Sequence, residues 1–325
     1  MNRLMPGEFA RAQISDNAKI LCEHATIGDG AVIGPDVTIE AREVHIGAGT
    51  IIERGTTIKG LGKPCARLWV GDQSFVGFAN QILVPDFVMG DYAQLHNSSL
   101  TSGYQPIRIG HNCWIGQQSI LNCTETLTLG NNVRVGTGSH IWTHVASGEL
   151  LEGCTLYGEH PVTVEDDVWI VGGAVISPGL TLGRRAVIMT GAVLTKSAEA
   201  GHTYAGVPAK DVTDKLNFWK TPTLGDKIEM MKDFIQEYNS AAAGAPVIWV
   251  DDPAEVSFDD QHLYVVGELA DWDGVRSRNI SLFDLASKRY HKTGRRNEVA
   301  FVRWMVGFRA RFLPVNDALP ARFND

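Results

Sequence analysis

From Val162 to Glu199 the chain repeats a six-residue unit six times, as VTVEDDVW, IVGGAV, ISPGLT, LGRRAV, IMTGAV and LTKSAE, the first carrying two lead-in residues. Each unit opens on a branched aliphatic: Val164, Ile170, Ile176, Leu182, Ile188 and Leu194. Four residues later comes a small or branched residue: Val168, Ala174, Leu180, Ala186, Ala192 and Ala198. A period of six suits neither a helix, at about 3.6, nor a lone amphipathic strand, at about 2. It suits a solenoid in which each hexad supplies one flat face and a corner, with three hexads closing a coil. The predicted fold class is therefore an all-β solenoid, a parallel β-helix.

The same grammar runs upstream. Ile27, Ile33 and Ile39 open one series and Ile46, Ile52 and Ile58 the next, with Ala31, Val37, Thr50 and Thr56 in the small slot. Pairs such as Val70/Ser74, Ile109/Cys113 and Val135/Ser139 continue it. A narrow bore explains the alternation: the opening aliphatic points inward, and the next inward position lies at a corner with room for little. About ten coils at roughly 4.8 Å each make a rod on the order of 45–50 Å long. Two interruptions break the period, GLGKPCARL from Gly60 to Leu68 and a longer excursion from Ala146 to Pro161. Insertions on such rods commonly fall on the binding face.

Residues 1–18 read as a lead-in, 19–210 as the rod, 211–245 as a helix and linker, and 246–325 as a small α+β domain. The helix is expected over 223–240, where it would cover the open end of the last coil. AAAGAP at 241–246 is a candidate hinge, and Asn297 to Phe312 reads as a final helix. With a net charge of −8 the chain does not suit general nucleic-acid binding. No run of 18 apolar residues is present, so no integral membrane segment is expected and the cytoplasm is the default location. Cys22, Cys65, Cys113, Cys123 and Cys154 form no CxxC pair and read as reduced packing residues. The last domain carries basic residues from Arg276 to Arg311 that make either a solvated face or an anion site.

Three runs, DVWI (Asp167–Ile170), VLTK (Val193–Lys196) and AGVPAK (Ala205–Lys210), close the repeats. Together they resemble the final coils of hexapeptide-repeat acyltransferases: the galactoside, maltose and xenobiotic O-acetyltransferases, with sugar acetyltransferases of surface-polysaccharide pathways. The resemblance spans about residues 19–210 and is weak before 90. It implies a left-handed β-helix, a homotrimer, and acetyl-coenzyme A bound between neighbouring subunits as acyl donor, with no metal. It also implies a sugar or nucleotide-sugar acceptor.

In such enzymes a histidine about two dozen residues before the Trp of DVWI is the catalytic base, which points to His144. A sugar hydroxyl is a poor nucleophile, and a neutral imidazole can take its proton during attack on the thioester. His140 competes for that role or lines the acceptor pocket with Trp142, Asn122 and His160. Trp142 could instead be coil-surface packing, and Asn122 a turn residue. Trp169, Gly172, Gly173, Thr190 and Thr195 match positions along the pantetheine arm, and Lys196, Gly206 and Lys210 match its phosphate and adenosine end. For the glycines, corner geometry is an equal explanation. Val171, Arg184-Arg185 and Met189 depart from the family pattern, so the shape of the groove is left open.

Three other readings compete with sugar O-acetylation. The same chemistry could act on the amino group of a nucleotide-linked amino sugar. A trimeric zinc hydrase would need His111, His140 and His144 to converge. A non-enzymatic scaffold would need no coenzyme at all.

Overall fold

The computed structural model describes residues 2–3, 11–146, 148–241, 246–253, 256–316 and 319. Residues 1 and 4–10 of the expected lead-in and all but the ends of the AAAGAP segment lie outside them. The chain divides into two compact units, one ending at Trp219 and one beginning at Lys220.

The first unit is a parallel β-solenoid with three faces. In one mid-rod coil the chain lays Leu127–Leu129 on the first face, Arg134–Val135 on the second and His140–Ile141 on the third. Each strand pairs in parallel with its equivalents one coil away: Leu127 with Val162, Arg134 with Trp169, His140 with Val175. On the second face ten strands stack in parallel, from Gln13–Ile14 to Thr203–Ala205, before an antiparallel hairpin with Lys210–Asp211 ends the stack. Near the start, Thr38–Ile46 runs unbroken from the third face to the first, pairing Thr38 with Thr57 and Val44 with Leu68.

The inward column is apolar and closed to solvent: Ile115, Val135, Ile170 and Ile188 are each 0% exposed. Strict three-hexad coils, however, occur only at the C-terminal end, where Trp169 stacks on Val187. Farther back the coils are longer, Trp114 stacking on Arg134. The polar members of the small slot have a specific task. A corner leaves carbonyls that no strand neighbour reaches, and burying them unpaired is costly. Thr50 Oγ1 donates to the Gly71 carbonyl at 2.6 Å and accepts the Ser74 amide at 3.1 Å. Ser74 Oγ repeats this on Gly90 and Ala93, at 2.8 and 3.2 Å.

Outside the edge between the first and second faces runs a second ladder. Asn112 Nδ2 donates to Asn132 Oδ1 at 3.1 Å, and Asn132 Nδ2 donates to Asp167 Oδ1 at 2.9 Å. All three residues have positive φ, which Asn and Asp tolerate. Asp167 of the DVWI run is thus a corner residue. The Arg184-Arg185 departure is absorbed at the same edge: Arg184 donates to Asp167 Oδ2, and the Arg185 carbonyl accepts the Trp219 indole N–H at 2.7 Å. Cys22, Cys65, Cys113 and Cys123 are buried, and burial pushes the Cys65 thiol up to about 12.

The second unit holds a five-stranded sheet in sequence order: Val247–Val250, Leu263–Val266, Ser281–Asp284, Arg289–His291 and Leu313–Pro314. The first three strands are parallel and the fourth antiparallel to the third. Helix α1 (Leu224–Ala241) forms close to where the sequence places it, and its buried Met231, Ile235 and Tyr238 pack within this unit. Helices α2 (Asp273–Ser277) and α3 (Arg296–Met305) complete it. The final helix stops well short of Phe312, because Phe312 is buried against Phe283 and leads into the last strand. Many of the basic residues serve the unit's own turns: Arg295 on Asp260, Arg309 on Glu237 and Trp304, Arg311 on the carbonyls of Val306 and Gly307. Among the described residues, no helix is long and apolar enough to cross a membrane.

Candidate active site

The excursion leaves the rod where the third face turns into the first. His144–Ala146 pairs antiparallel with Tyr157–Glu159, so the loop stands out as a hairpin and re-enters at Val162. Leu150, Leu151 and Leu156 are exposed on it. His144 is the first residue of this hairpin and is half-buried.

Its ring is held from the coil below. Coils here are one register of 20 residues, Ile120 pairing with His140, which places Asn122 and Thr124 beneath Trp142 and His144. Asn122 Oδ1 lies 2.9 Å from His144 Nδ1, 2.7 Å from Thr143 Oγ1 and 3.2 Å from the Thr143 amide nitrogen. A backbone N–H can only donate, so the Asn122 atom facing Thr143 and His144 is its carbonyl oxygen. An amide oxygen can only accept, so Nδ1 of His144 carries a proton, and in the neutral ring Nε2 is the nitrogen with the lone pair. Thr124 Oγ1, 3.1 Å from Nδ1, shares the contact. This is the tautomer a general base needs. Thr124 and Thr143 were not among the sequence-derived candidates, although the 20-residue coil spacing from Thr124 to His144 contains the signal.

Trp142 sits between the two histidines, with ring centroids 6.1 Å from His140 and 6.1 Å from His144. His140, Trp142 and His144 alternate along the chain and so point to one side. His160 returns to the same edge, its amide donating to the Thr143 carbonyl at 2.9 Å. Asn122, His140, Trp142, His144 and His160 are therefore one cluster. His111 is not part of it: it lies at the edge between the first and second faces, where its Nδ1 accepts the Asp91 amide at 3.0 Å. His111, His140 and His144 do not converge within the chain.

The residues matched to coenzyme positions fall on two edges. Gly172, Gly173 and Thr190 lie where the second face turns into the third, stacked so that the Gly191 amide donates to the Gly172 carbonyl at 3.2 Å. Gly173 has φ +71, and a Cβ there would meet nothing within 4 Å, so its glycine answers to the turn. Gly172 is a tight but less demanding position, since a Cβ there would lie 3.1 Å from the Thr137 carbonyl oxygen of the coil below. Gly206 and Lys210 lie at the terminal hairpin, where the Gly206 carbonyl accepts the Val193 amide at 3.0 Å. Thr195 and Lys196 are exposed on the His144 edge, two coils farther along the third face. Trp169 is on the second face, 46% exposed, between Arg134 and Val187.

Replacing Asn122 by alanine removes the acceptor that fixes the His144 tautomer. We expect kcat to fall about tenfold to a hundredfold, as when a ligand's orienting partner is lost. The Thr143 amide, left without its acceptor, should also cost about 1–3 kcal/mol of stability, whereas the Thr143 hydroxyl keeps the Asn122 backbone carbonyl at 3.2 Å. Steady-state kinetics beside urea unfolding would check both, and an unchanged kcat would remove Asn122 from the site.

Two stretches of the rod, residues 106–141 and 161–196, match the hexapeptide repeat of succinyl-transferase. Both stretches lie within the solenoid and cover less than a quarter of the chain. Among its relatives are acetyltransferases acting on oxygen and on nitrogen. Galactoside O-acetyltransferase of Escherichia coli K12 is 30% identical over 110 residues, covering 33% of this chain and 54% of that protein. A 2,3,4,5-tetrahydropyridine-2,6-dicarboxylate N-acetyltransferase of Staphylococcus aureus is 40% identical over 75 residues, covering 23% and 30%. The chain spans about half the length, or less, of these relatives. A solved hexapeptide-repeat acetyltransferase of Vibrio cholerae, complexed with acetyl-coenzyme A, is 28% identical over 33% of this chain and 58% of its own, with a TM-score of 0.31.

Proposed function

We propose that the protein transfers an acetyl group from acetyl-coenzyme A to a hydroxyl of a sugar or activated sugar. The observation that carries this is the His144 ring, held through Nδ1 by Asn122 at the base of an exposed hairpin. His144 takes the acceptor's hydroxyl proton as its oxygen bonds the acetyl carbon. The carbon–sulfur bond breaks, and the proton returns to the departing sulfur. No covalent link to the enzyme forms. Trp142, His140 and His160 stand where an acceptor would lie, and an indole suits the apolar face of a sugar ring.

We further propose a homotrimer. Gly172, Gly173 and Thr190 lie on a different edge from His144, across the width of the third face, which is roughly 10 Å. A neighbouring copy can bring those two edges together; one chain cannot. We place the reaction in the cytoplasm, where its buried thiols stay reduced, and in surface-polysaccharide biosynthesis. N-acylation of a nucleotide-linked amino sugar is the second reading, supported by the N-acetyltransferase relative.

Acceptor-dependent release of free thiol from acetyl-coenzyme A, across a panel of sugars and nucleotide-sugars, tests the proposal. Mass measurement of the native assembly tests the trimer. A wild-type protein that binds no coenzyme A would leave only the scaffold reading.

A further inference from the structure

The last coil ends in a hairpin, Thr203–Ala205 against Lys210–Asp211, with Tyr204 opposite Asp211 and Ala205 opposite Lys210. Gly206 opens its turn, and Lys210 is the first residue of the returning strand. At the base of this hairpin His202 Nδ1 meets Asp211 Oδ2 at 2.6 Å. The other carboxylate oxygen accepts from Thr213, through its amide at 2.8 Å and its hydroxyl. Thr213 Oγ1 in turn accepts the Thr203 amide at 2.9 Å. The Tyr204 hydroxyl accepts the Glu199 amide at 3.1 Å, and Glu199 Oε2 lies 3.7 Å from His202 Nε2. Beyond the turn, the Gly206 carbonyl and the Ala209 amide both bond Val193, two residues before Thr195.

We propose that His202 is a positioning residue for the coenzyme: through Asp211 it clips the terminal hairpin and sets the turn that presents Gly206 and Lys210. The inference rests on the acyl-transfer reading, which puts the coenzyme's phosphate end at this turn. The physical case is that Lys210–Asp211 is an exposed strand of two residues at the end of the stack, paired only with Thr203–Ala205 and too short to hold its register alone. The clip joins the two strands at the end opposite the turn, and Val193 anchors the turn to the rod.

The clip is charge-dependent. The groups facing His202 are Asp211, Glu199 and Asp214, all acidic, and the hydrogen bond to Asp211 raises His202 above its ordinary 6.5. Asp211 is held down to about 2 by its hydrogen bonds to Thr213 and then His202. A raised histidine gives its full contribution below pH 6.5 and loses it as pH climbs through the raised value. A depressed carboxylate gives its contribution above 3.8 and loses it as pH falls through about 2. The clip is therefore complete between about pH 4 and 6.5 and weakens on the alkaline side.

The test is coenzyme A binding by calorimetry and the KM for acetyl-coenzyme A, from about pH 5.5 to 8.5. Wild type, His202→Gln and Asp211→Asn are compared, with thermal unfolding of each. In wild type, coenzyme affinity should fall about twofold to fivefold toward the alkaline end, the size expected of an exposed ion pair. Both variants should bind as weakly at acid pH as wild type does at alkaline pH, and should lose the pH dependence. Variants that bind coenzyme A like wild type at every pH would overturn the clip and leave the acyl-transfer reading standing. Variants in which kcat, affinity and unfolding temperature all fall together would reduce His202 to a structural role. Wild type that binds no coenzyme A would overturn both.

Discussion

Changing His144 to alanine is expected to lower acetyl transfer by about 10²- to 10⁴-fold while coenzyme affinity is retained. The geometry separates the two effects. His144 sits on the edge where the third face meets the first, whereas Gly172, Gly173 and Thr190 sit on the edge between the second and third. A side chain lost from one edge leaves the backbone of the other as it was. The same variant distinguishes His144 from His140, whose ring is separated from it by Trp142. His140→Ala should raise the acceptor KM and leave part of kcat. If His140→Ala were the dead variant and His144→Ala active, the base assignment would be wrong. Mixing His144→Ala with a variant crippled at Thr190 adds a test of assembly. When the site is shared between copies, two inactive chains form some intact sites and recover part of the activity.

The second large effect concerns the rod itself. Ile176 is 0% exposed, with Ile141 in register one coil below and Leu194 one coil above. Ile176→Ala should cost about 2–5 kcal/mol, because the lost transfer energy is joined by a cavity the coils cannot close. Adjacent coils are joined by backbone hydrogen bonds at fixed spacing, so the side-chain column cannot slump into the gap as a loose core could. The expected signature is a lower urea midpoint with the hairpin and Lys196 end opening first, visible as early loss of amide protection there. Thr163→Ala is the control: Thr163 faces outward, exposed, between Thr128 and Thr181, and should change stability by less than about 0.5 kcal/mol. Equal losses from the two substitutions would contradict the inward assignment of the hexad openers.

Much of the architecture was readable because its period is unusual. Openers such as Ile170 and Ile188 are buried as expected, and the upstream pairs Val70/Ser74 and Val135/Ser139 are buried as well. The polar slot residues were legible as small, but their role was not. Thr50 and Ser74 answer to carbonyls contributed by Gly71 and Gly90 on other coils, and a one-dimensional pattern does not say which corner needs a donor. The C-terminal unit was read less well at its end: α3 stops at Met305, because burial of Phe312 against Phe283 overrides the helical pattern.

At the candidate site, His144, His140, Trp142, Asn122 and His160 could be named from the sequence, and they do share one edge. That the Asn122 oxygen meets Nδ1 could not be named, since it depends on which atoms two neighbouring coils present to each other. The same holds for the partition of the coenzyme positions between two edges, and for the clip of His202 on Asp211.

What the sequence determined alone is the solenoid: a six-residue alternation of large and small inward residues admits one way of burying every opener. Tertiary structure decided the candidate site, through the hydrogen bond at His144 Nδ1, the edge each candidate residue occupies and the hydrogen bonds that hold the last turn. Burial is a property of each residue's own side chain and repeats with the chain. Hydrogen-bond partners and edges come from residues a coil or more away, and exist only once the coils are stacked.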